Sequence, residues 1–136
     1  MIKGFAHVCL VATDLAAAER FYCTGLGLKK AFNFVKADKV VGFYLEVAKG
    51  SYIEIFCKDH IDTTASAPIT HFCLEVDDLD PVREQLMAHG YKVTEKKLGA
   101  DHSWQMWTSD PGGARIEFHQ YTGQSSQKTG KNCVLT

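Results

Sequence analysis

No apolar run in this chain approaches the ~20 residues that cross a bilayer. Its start has no secretory pattern of basic, apolar and small residues. Neither a membrane partner nor export is expected, and the expected location is cytoplasmic. Net charge is scarce as well: the formal value is −1, with both signs interspersed. With no basic stripe to neutralise phosphates, nucleic acid is not an expected partner. The five cysteines (Cys9, Cys23, Cys57, Cys73 and Cys133) include no CxxC and no framework spacing. An all-sulfur metal site and a disulfide scaffold are set aside, and reduced thiols are expected.

What is present is an ordinary globular composition, 46% hydrophobic and 23% charged, in a length suited to one domain. Alternation dominates the candidate strands. "FAHVCLVA" puts Val8 and Leu10 on one face and His7, Cys9 and Val11 on the other. Asp14 is placed to cap a helix over "LAAAERFYCTGL", which Gly25 and Gly27 end. Strands are predicted at about 29–35, 40–47 and 51–57, followed by the polar linker "KDHIDTTASAP".

The plan then recurs. "AHVCLVATDL" and "THFCLEVDDL" match at His7/His71, Cys9/Cys73, Leu10/Leu74 and Asp14-Leu15/Asp78-Leu79, 64 positions apart. Asp78 caps "LDPVREQLMAHG", where Pro81 sits harmlessly in the first turn and Gly90 closes the helix. Strands follow at about 92–98, 103–108 and 114–121. The order is β-α-β-β-β twice, an α+β fold of two tandem modules. Residues 1–122 are expected to form one domain, with module 1 at about 2–58 and module 2 at about 69–121. The tail 123–136 is polar, buries too little apolar area to order itself, and is expected to be disordered. Its "CVLT" has the shape of a prenylation box, but threonine is not a usual last residue, and no lipid is expected.

The last strand of each half carries a second repeated polar residue. "SYIEIFC" sets Ile53 and Ile55 against Tyr52, Glu54 and Phe56; "ARIEFHQ" sets Ile116 and Phe118 against Arg115, Glu117 and His119. Each half thus offers one histidine and one glutamate on the face away from its aliphatic residues. A lone histidine at a strand end is more often a packed or edge residue, and a lone glutamate more often solvated. Two of each, matched in type, face and register, share an explanation better. Buried charge is normally paired or metal-bound, and His7, Glu54, His71 and Glu117 suit zinc, nickel, cobalt, iron or manganese. His102, Trp104, Gln105 and His119 are candidate pocket residues, Glu46 is a weaker carboxylate candidate, and His60 and His89 read as surface residues.

The twofold repeat, with "HVCLVATDL…FYCTGLGLK", "HFCLEVDDL" and the closing "WTSDPGGARIEF", resembles the vicinal oxygen chelate superfamily over about residues 2–121. That superfamily includes glyoxalase I, extradiol dioxygenases, methylmalonyl-CoA epimerase, fosfomycin-resistance proteins and metal-free drug-binding proteins. The resemblance implies a cleft-like half-barrel sheet and metal ligands at His7, Glu54, His71 and Glu117. Three-ligand members use positions corresponding to His7, His71 and Glu117, whereas a glutamate at position 54 looks like the glyoxalase I choice. The implied activity is a lyase or isomerase working on a small α-oxo or α-hydroxycarbonyl compound through a metal-bound enediolate. Glu117 would move the proton, with Glu54 as its partner. An extradiol-type dioxygenase or other three-ligand enzyme of the superfamily, such as a transferase, and a metal-free drug-binding protein are the alternatives. The chain departs from glyoxalase I at Phe56, Lys58 and Thr24, positions where that family keeps a threonine, an asparagine and a basic residue. Glutathione is therefore not the expected co-substrate. A homodimer is implied by resemblance.

Overall fold

A computed structural model describes residues 1, 3–61 and 69–135. The strands are β1 (His7–Ala12), β2 (Lys29–Lys36), β3 (Lys39–Ala48), β4 (Ser51–Cys57), β5 (Phe72–Glu75), β6 (Lys97–Leu98), β7 (Trp104–Ser109) and β8 (Arg115–Gln120). The helices are α1 (Leu15–Glu19), α2 (Leu79–Ala88) and α3 (Ser126–Thr129). Most of the expected linker, 62–68, and Thr136 of "CVLT" lie outside the described residues. The chain divides into two compact units, Met1–Ser66 with Pro111–Ala114, and Ala67–Asp110 with Arg115–Thr136.

Each unit is one four-stranded sheet with the same topology, β1-β4-β3-β2 in the first and β5-β8-β7-β6 in the second. The first and last strands of a module pair in parallel, and the other pairs are antiparallel. A helix must cross over between parallel neighbours, and each module supplies one straight after its first strand. The expected α+β class and the βαβββ repeat are what the chain adopts.

Alternation sorts the faces. Phe43, Leu45, Ile53 and Ile55 are almost fully buried in the first unit, as are Met106, Ile116 and Phe118 in the second. The residues between them (Tyr44, Glu54, Trp107, Glu117) point to the other face, as a period of two requires. Gly42 stands opposite Phe56 in β3. A Cβ there would collide with the Ile55 carbonyl and lie 2.9 Å from Phe56 Cδ1, so only glycine lets β3 approach β4 at this point.

Asp14 caps α1 by accepting from the Ala17 N–H at 2.9 Å. The predicted single helix then widens into a π-helical turn, Arg20–Gly25. The reason is packing: Phe21 and Tyr22 are consecutive, yet both are 0% exposed, and the wider turn accommodates two adjacent inward aromatics. Asp78 likewise caps α2, and Leu79 and Leu86, one heptad apart, bury its inner face.

Two expectations need correcting. The strand predicted at about 92–98 pairs as a ladder only at Lys97–Leu98. Upstream, one main-chain bond remains, from the Thr94 N–H to the Trp107 carbonyl at 2.9 Å, and side-chain hydroxyls make the others: Thr94 Oγ1 accepts from the Trp107 N–H at 2.9 Å, and Thr108 Oγ1 donates to the Lys92 carbonyl at 2.7 Å. The tail expected to be disordered carries α3 instead. Ser125 and Ser103 are both fully buried, joined by a 3.0 Å hydroxyl bond, and Ser126 N–H donates to the Asp101 carbonyl at 2.8 Å. Hydrogen bonds, not apolar burial, order this segment, which is why composition pointed the other way.

Candidate functional site

In the first unit, β1 and β4 lie side by side with Cys9 opposite Glu54. His7 Nε2 is 3.8 Å from Glu54 Oε2, and the Nδ1 atom is 3.1 Å from the Tyr44 hydroxyl. Tyr44 is itself the β3 partner of Glu54. It belongs to an aromatic cluster on this face: Phe32 stacks on Tyr44 at 4.8 Å, Tyr44 on Tyr52 at 5.0 Å and Phe34 on Phe56 at 4.5 Å between ring centroids. Burial pushes the Cys9 thiol up to about 11, with the hydrogen bond to Glu54 adding to the shift.

The second unit repeats the pair and adds to it. His71 stands just before β5, with Nε2 3.2 Å from Glu117 Oε2 and Nδ1 2.9 Å from the Thr70 hydroxyl. Trp107, the β7 partner of Glu117, packs edge-on to the His71 ring at 4.8 Å. Trp107 thus occupies the place that Tyr44 holds in the first unit. A second imidazole reaches the same carboxylate, since His119 Nε2 lies 3.0 Å from Glu117 Oε1. The His119 Nδ1 atom is 4.0 Å from Asp101 Oδ2. Desolvation works against the Asp101 charge, but hydrogen bonds from Gln127 and Ser103 outweigh it and hold that carboxyl below its ordinary range. Cys73 is the strand partner of Glu117. Desolvation, and then the Glu117 charge, push its thiol up to about 12. Glu117 is only 9% exposed, a buried carboxylate supported by neighbours on two sides.

The four predicted ligands thus form two His–Glu pairs, one per unit, with each imidazole's Nε2 toward its carboxylate. Of the predicted pocket residues, Gln105 lies on the Glu117 face opposite His119, accepting from Trp107 Nε1 at 3.1 Å. Trp104 falls on the other face, with Met106 and Thr108, because neighbours along a strand cannot share a side. Trp107 takes the aromatic role expected of Trp104. His102 is exposed at a positive φ of 61°, and its carbonyl accepts from Thr122 and Ser125. Glu46 is exposed on β3. Two hollows flank Trp107 in this unit, one of about 630 Å³ beside Arg115 and Tyr91 and one of about 330 Å³ beside Gln105 and Leu98. Neither of these two hollows is lined by Glu117 or His119.

Sequence reasoning missed Tyr44 and Cys73 as neighbours of the carboxylates, and Asp101 as a neighbour of His119. The repeat could have flagged Tyr44, which matches Trp107 63 positions on, and Cys73, which matches Cys9. No local signal points to Asp101.

The profile of the Glyoxalase/Bleomycin resistance protein/Dioxygenase superfamily matches residues 4–118. The chain belongs to that superfamily. This superfamily member is 26% identical over 133 residues to the Uncharacterized protein YaeR of Escherichia coli (strain K12), covering 88% of this chain and 97% of that one. It shares its fold with the lactoylglutathione lyase from Agrobacterium tumefaciens, at a TM-score of 0.67 and 19% identity over 87% of this chain and 93% of that one. It shares it equally with TnmS3, an antibiotic binding protein from Streptomyces sp. CB03234, at a TM-score of 0.71 and 20% identity over 89% and 98%. The superfamily holds enzymes and binding proteins alike. Among the described residues no helix is long and apolar enough to cross a membrane.

Proposed function

We propose that this superfamily member is a metal-dependent lyase or isomerase acting on a small α-oxo or α-hydroxycarbonyl compound, with His7, Glu54, His71 and Glu117 as the metal ligands. The observation that carries this reading is the repeated side-chain geometry. In each unit one imidazole Nε2 faces one carboxylate while a hydroxyl engages Nδ1. A partner on the second nitrogen is what orients a ligating imidazole. The donors also fit an ion in spacing. Metal–nitrogen and metal–oxygen bonds of about 2.0–2.2 Å put two donors on one ion roughly 3 Å apart. The 3.2 Å pair meets that as it stands, and the 3.8 Å pair needs only a small torsional change. Nickel, zinc or cobalt suits the imidazole–carboxylate set best, with iron and manganese next.

A bound ion supplies Lewis-acid stabilisation of the charge that develops on the substrate's two oxygens. The chain's own residues do the rest. Glu117 takes the proton from the carbon beside the carbonyl, with Glu54 as its partner. His119 holds Glu117 Oε1 in place, and Trp107 walls the site against the His71 ring. A positioned carboxylate of this kind contributes about 10²–10⁴-fold to rate. Glutathione is not required, since Lys58, Phe56 and Thr24 replace the residues expected to serve it. A cytoplasmic homodimer completes the proposal, and sedimentation measures the oligomeric state directly.

Chelator-stripped protein reloaded separately with nickel, cobalt and zinc tests the reading, on the methylglyoxal–glutathione hemithioacetal and on glutathione-free α-hydroxycarbonyls. Turnover only in the presence of metal is expected, strongest on the glutathione-free substrates. Glu54→Gln is expected to weaken metal binding by about 10–100-fold or more. If that variant keeps its metal and its turnover, Glu54 is not a ligand and the four-ligand set gives way to a three-ligand one of His7, His71 and Glu117. Metal-loaded protein with no turnover on these substrates moves the reading to a three-ligand oxygenase or transferase.

The aromatic cluster of the first unit favours a second reading, metal-free binding of a flat ligand. Phe32, half exposed, together with Phe34, Tyr44, Tyr52 and Phe56, offers ring faces of the kind small-molecule sites use. On this reading, chelator-stripped protein stays folded and binds a planar aromatic antibiotic, and Phe34→Ala weakens that binding about tenfold or more, one lost ring stack being worth about 0.5–1.5 kcal/mol beyond its area. Stripped protein that binds no such ligand leaves the metal reading alone.

A further inference from the structure

The two units differ at one position beside the repeated glutamate. Phe56 stands in the first where His119 stands in the second, 63 residues on, each two residues past its glutamate. The registers agree: Gly42 faces Phe56, and Gln105 faces His119. The first unit therefore places a cysteine and a carboxylate together but closes the third side with a benzyl ring. The second completes the set, because Cys73 Sγ, a Glu117 oxygen and a His119 ring nitrogen all lie within 4.8 Å of one another.

We propose that Cys73, Glu117 and His119 form a thiolate-containing metal site within the second unit, taking a thiophilic divalent ion such as zinc. The site stands on this unit's geometry alone and does not depend on the four-ligand reading. Thiolate, imidazole and carboxylate are each zinc ligands, and three protein donors with a fourth position open are the arrangement of catalytic zinc sites. Thiolate shifts the preference toward softer ions than an imidazole–carboxylate set does. The support behind His119 matches the chemistry. Its Nε2 faces Glu117, while Nδ1 faces the Asp101 carboxylate at 4.0 Å. Gln127 Nε2, from α3, donates to that carboxylate at 2.7 Å, and the Ser103 N–H donates at 3.1 Å. At 4.0 Å the Asp101 carboxylate lies beyond hydrogen-bond reach of the ring and supports it by charge alone. On binding, the sulfur–hydrogen bond of Cys73 breaks, the sulfur–metal bond forms, and the proton leaves to solvent with no change of oxidation state. Glu117 is common to both donor sets, so an ion held here denies Glu117 to the four-ligand set. The two sets therefore compete for one ion.

Full-length protein loaded with cobalt(II) reads the difference, because a thiolate ligand adds a sulfur-to-cobalt charge-transfer band in the near ultraviolet and an imidazole–carboxylate set does not. The band is expected in the wild type, absent in Cys73→Ser, and retained in Cys9→Ser and Glu54→Gln. Zinc affinity is expected to fall about tenfold or more in both Cys73→Ser and His119→Gln, with circular dichroism confirming that each variant is folded. Cobalt bound without the band, a band that survives Cys73→Ser, or no cobalt bound at all overturns the proposal. Retention of the band in Glu54→Gln also separates this site from the four-ligand reading, which requires Glu54.

Discussion

Glu117→Gln is expected to lower turnover by about 10²–10⁴-fold, the range a positioned proton-transfer group supplies, and to cost the protein its metal. The carboxylate sits between two imidazoles, 3.2 Å from one and 3.0 Å from the other, at 9% exposure. Glutamine keeps the shape but offers one acceptor oxygen and an amide NH2 in place of two acceptors. One imidazole therefore loses its partner, and the remaining group can neither accept a proton nor neutralise an ion. Because the change is isosteric, the fold should survive, and thermal melting of metal-free protein checks that. Metal content per chain and turnover after reloading measure the functional loss. Turnover within about threefold of wild type, well short of the expected range, would remove Glu117 from the chemistry.

Phe118→Ala is expected to destabilise the second unit by about 3–5 kcal/mol, the usual cost of emptying a buried aromatic position. Phe118 is 1% exposed in β8, the strand between β5 and β7, and faces Leu74 and Met106 in register. Against a typical total of about 5–15 kcal/mol, that is a large share of the stability of a domain. The same strand carries Glu117 and His119 on its other face, so a cavity under it should also loosen the donor cluster. Urea unfolding should show a lower midpoint, and metal affinity should fall with it. A change of slope as well would mark a loss of two-state unfolding or a change in the surface exposed. A loss below about 1 kcal/mol, under the range for such cavities, would mean that this face is not packed as described. Ile55→Val, one methylene trimmed from the first unit's core, is the milder comparison at about 0.5–1.5 kcal/mol.

Much of this protein can be read from its residues. Side-chain alternation and helix caps are local, so the order β-α-β-β-β, its duplication and the faces of β1, β4 and β8 follow from periods of 2 and 3.6 and from Asp14 and Asp78. The repeat spacing singled out His7, Glu54, His71 and Glu117, and each imidazole does face its carboxylate within its own unit. Other features depend on long-range pairing, which no period encodes. The parallel register of β5 on β8 sets Cys73 beside Glu117, and β7 brings Trp107, not Trp104, to that carboxylate. The turn before β7 brings Asp101 behind His119. The tail orders through hydrogen bonds to Asp101, His102 and Ser103, which apolar bookkeeping could not anticipate. The sequence by itself determined which side chains share a face, because that depends only on chain periodicity. The tertiary structure alone decided which of them touch, because strand register is fixed by partners far along the chain.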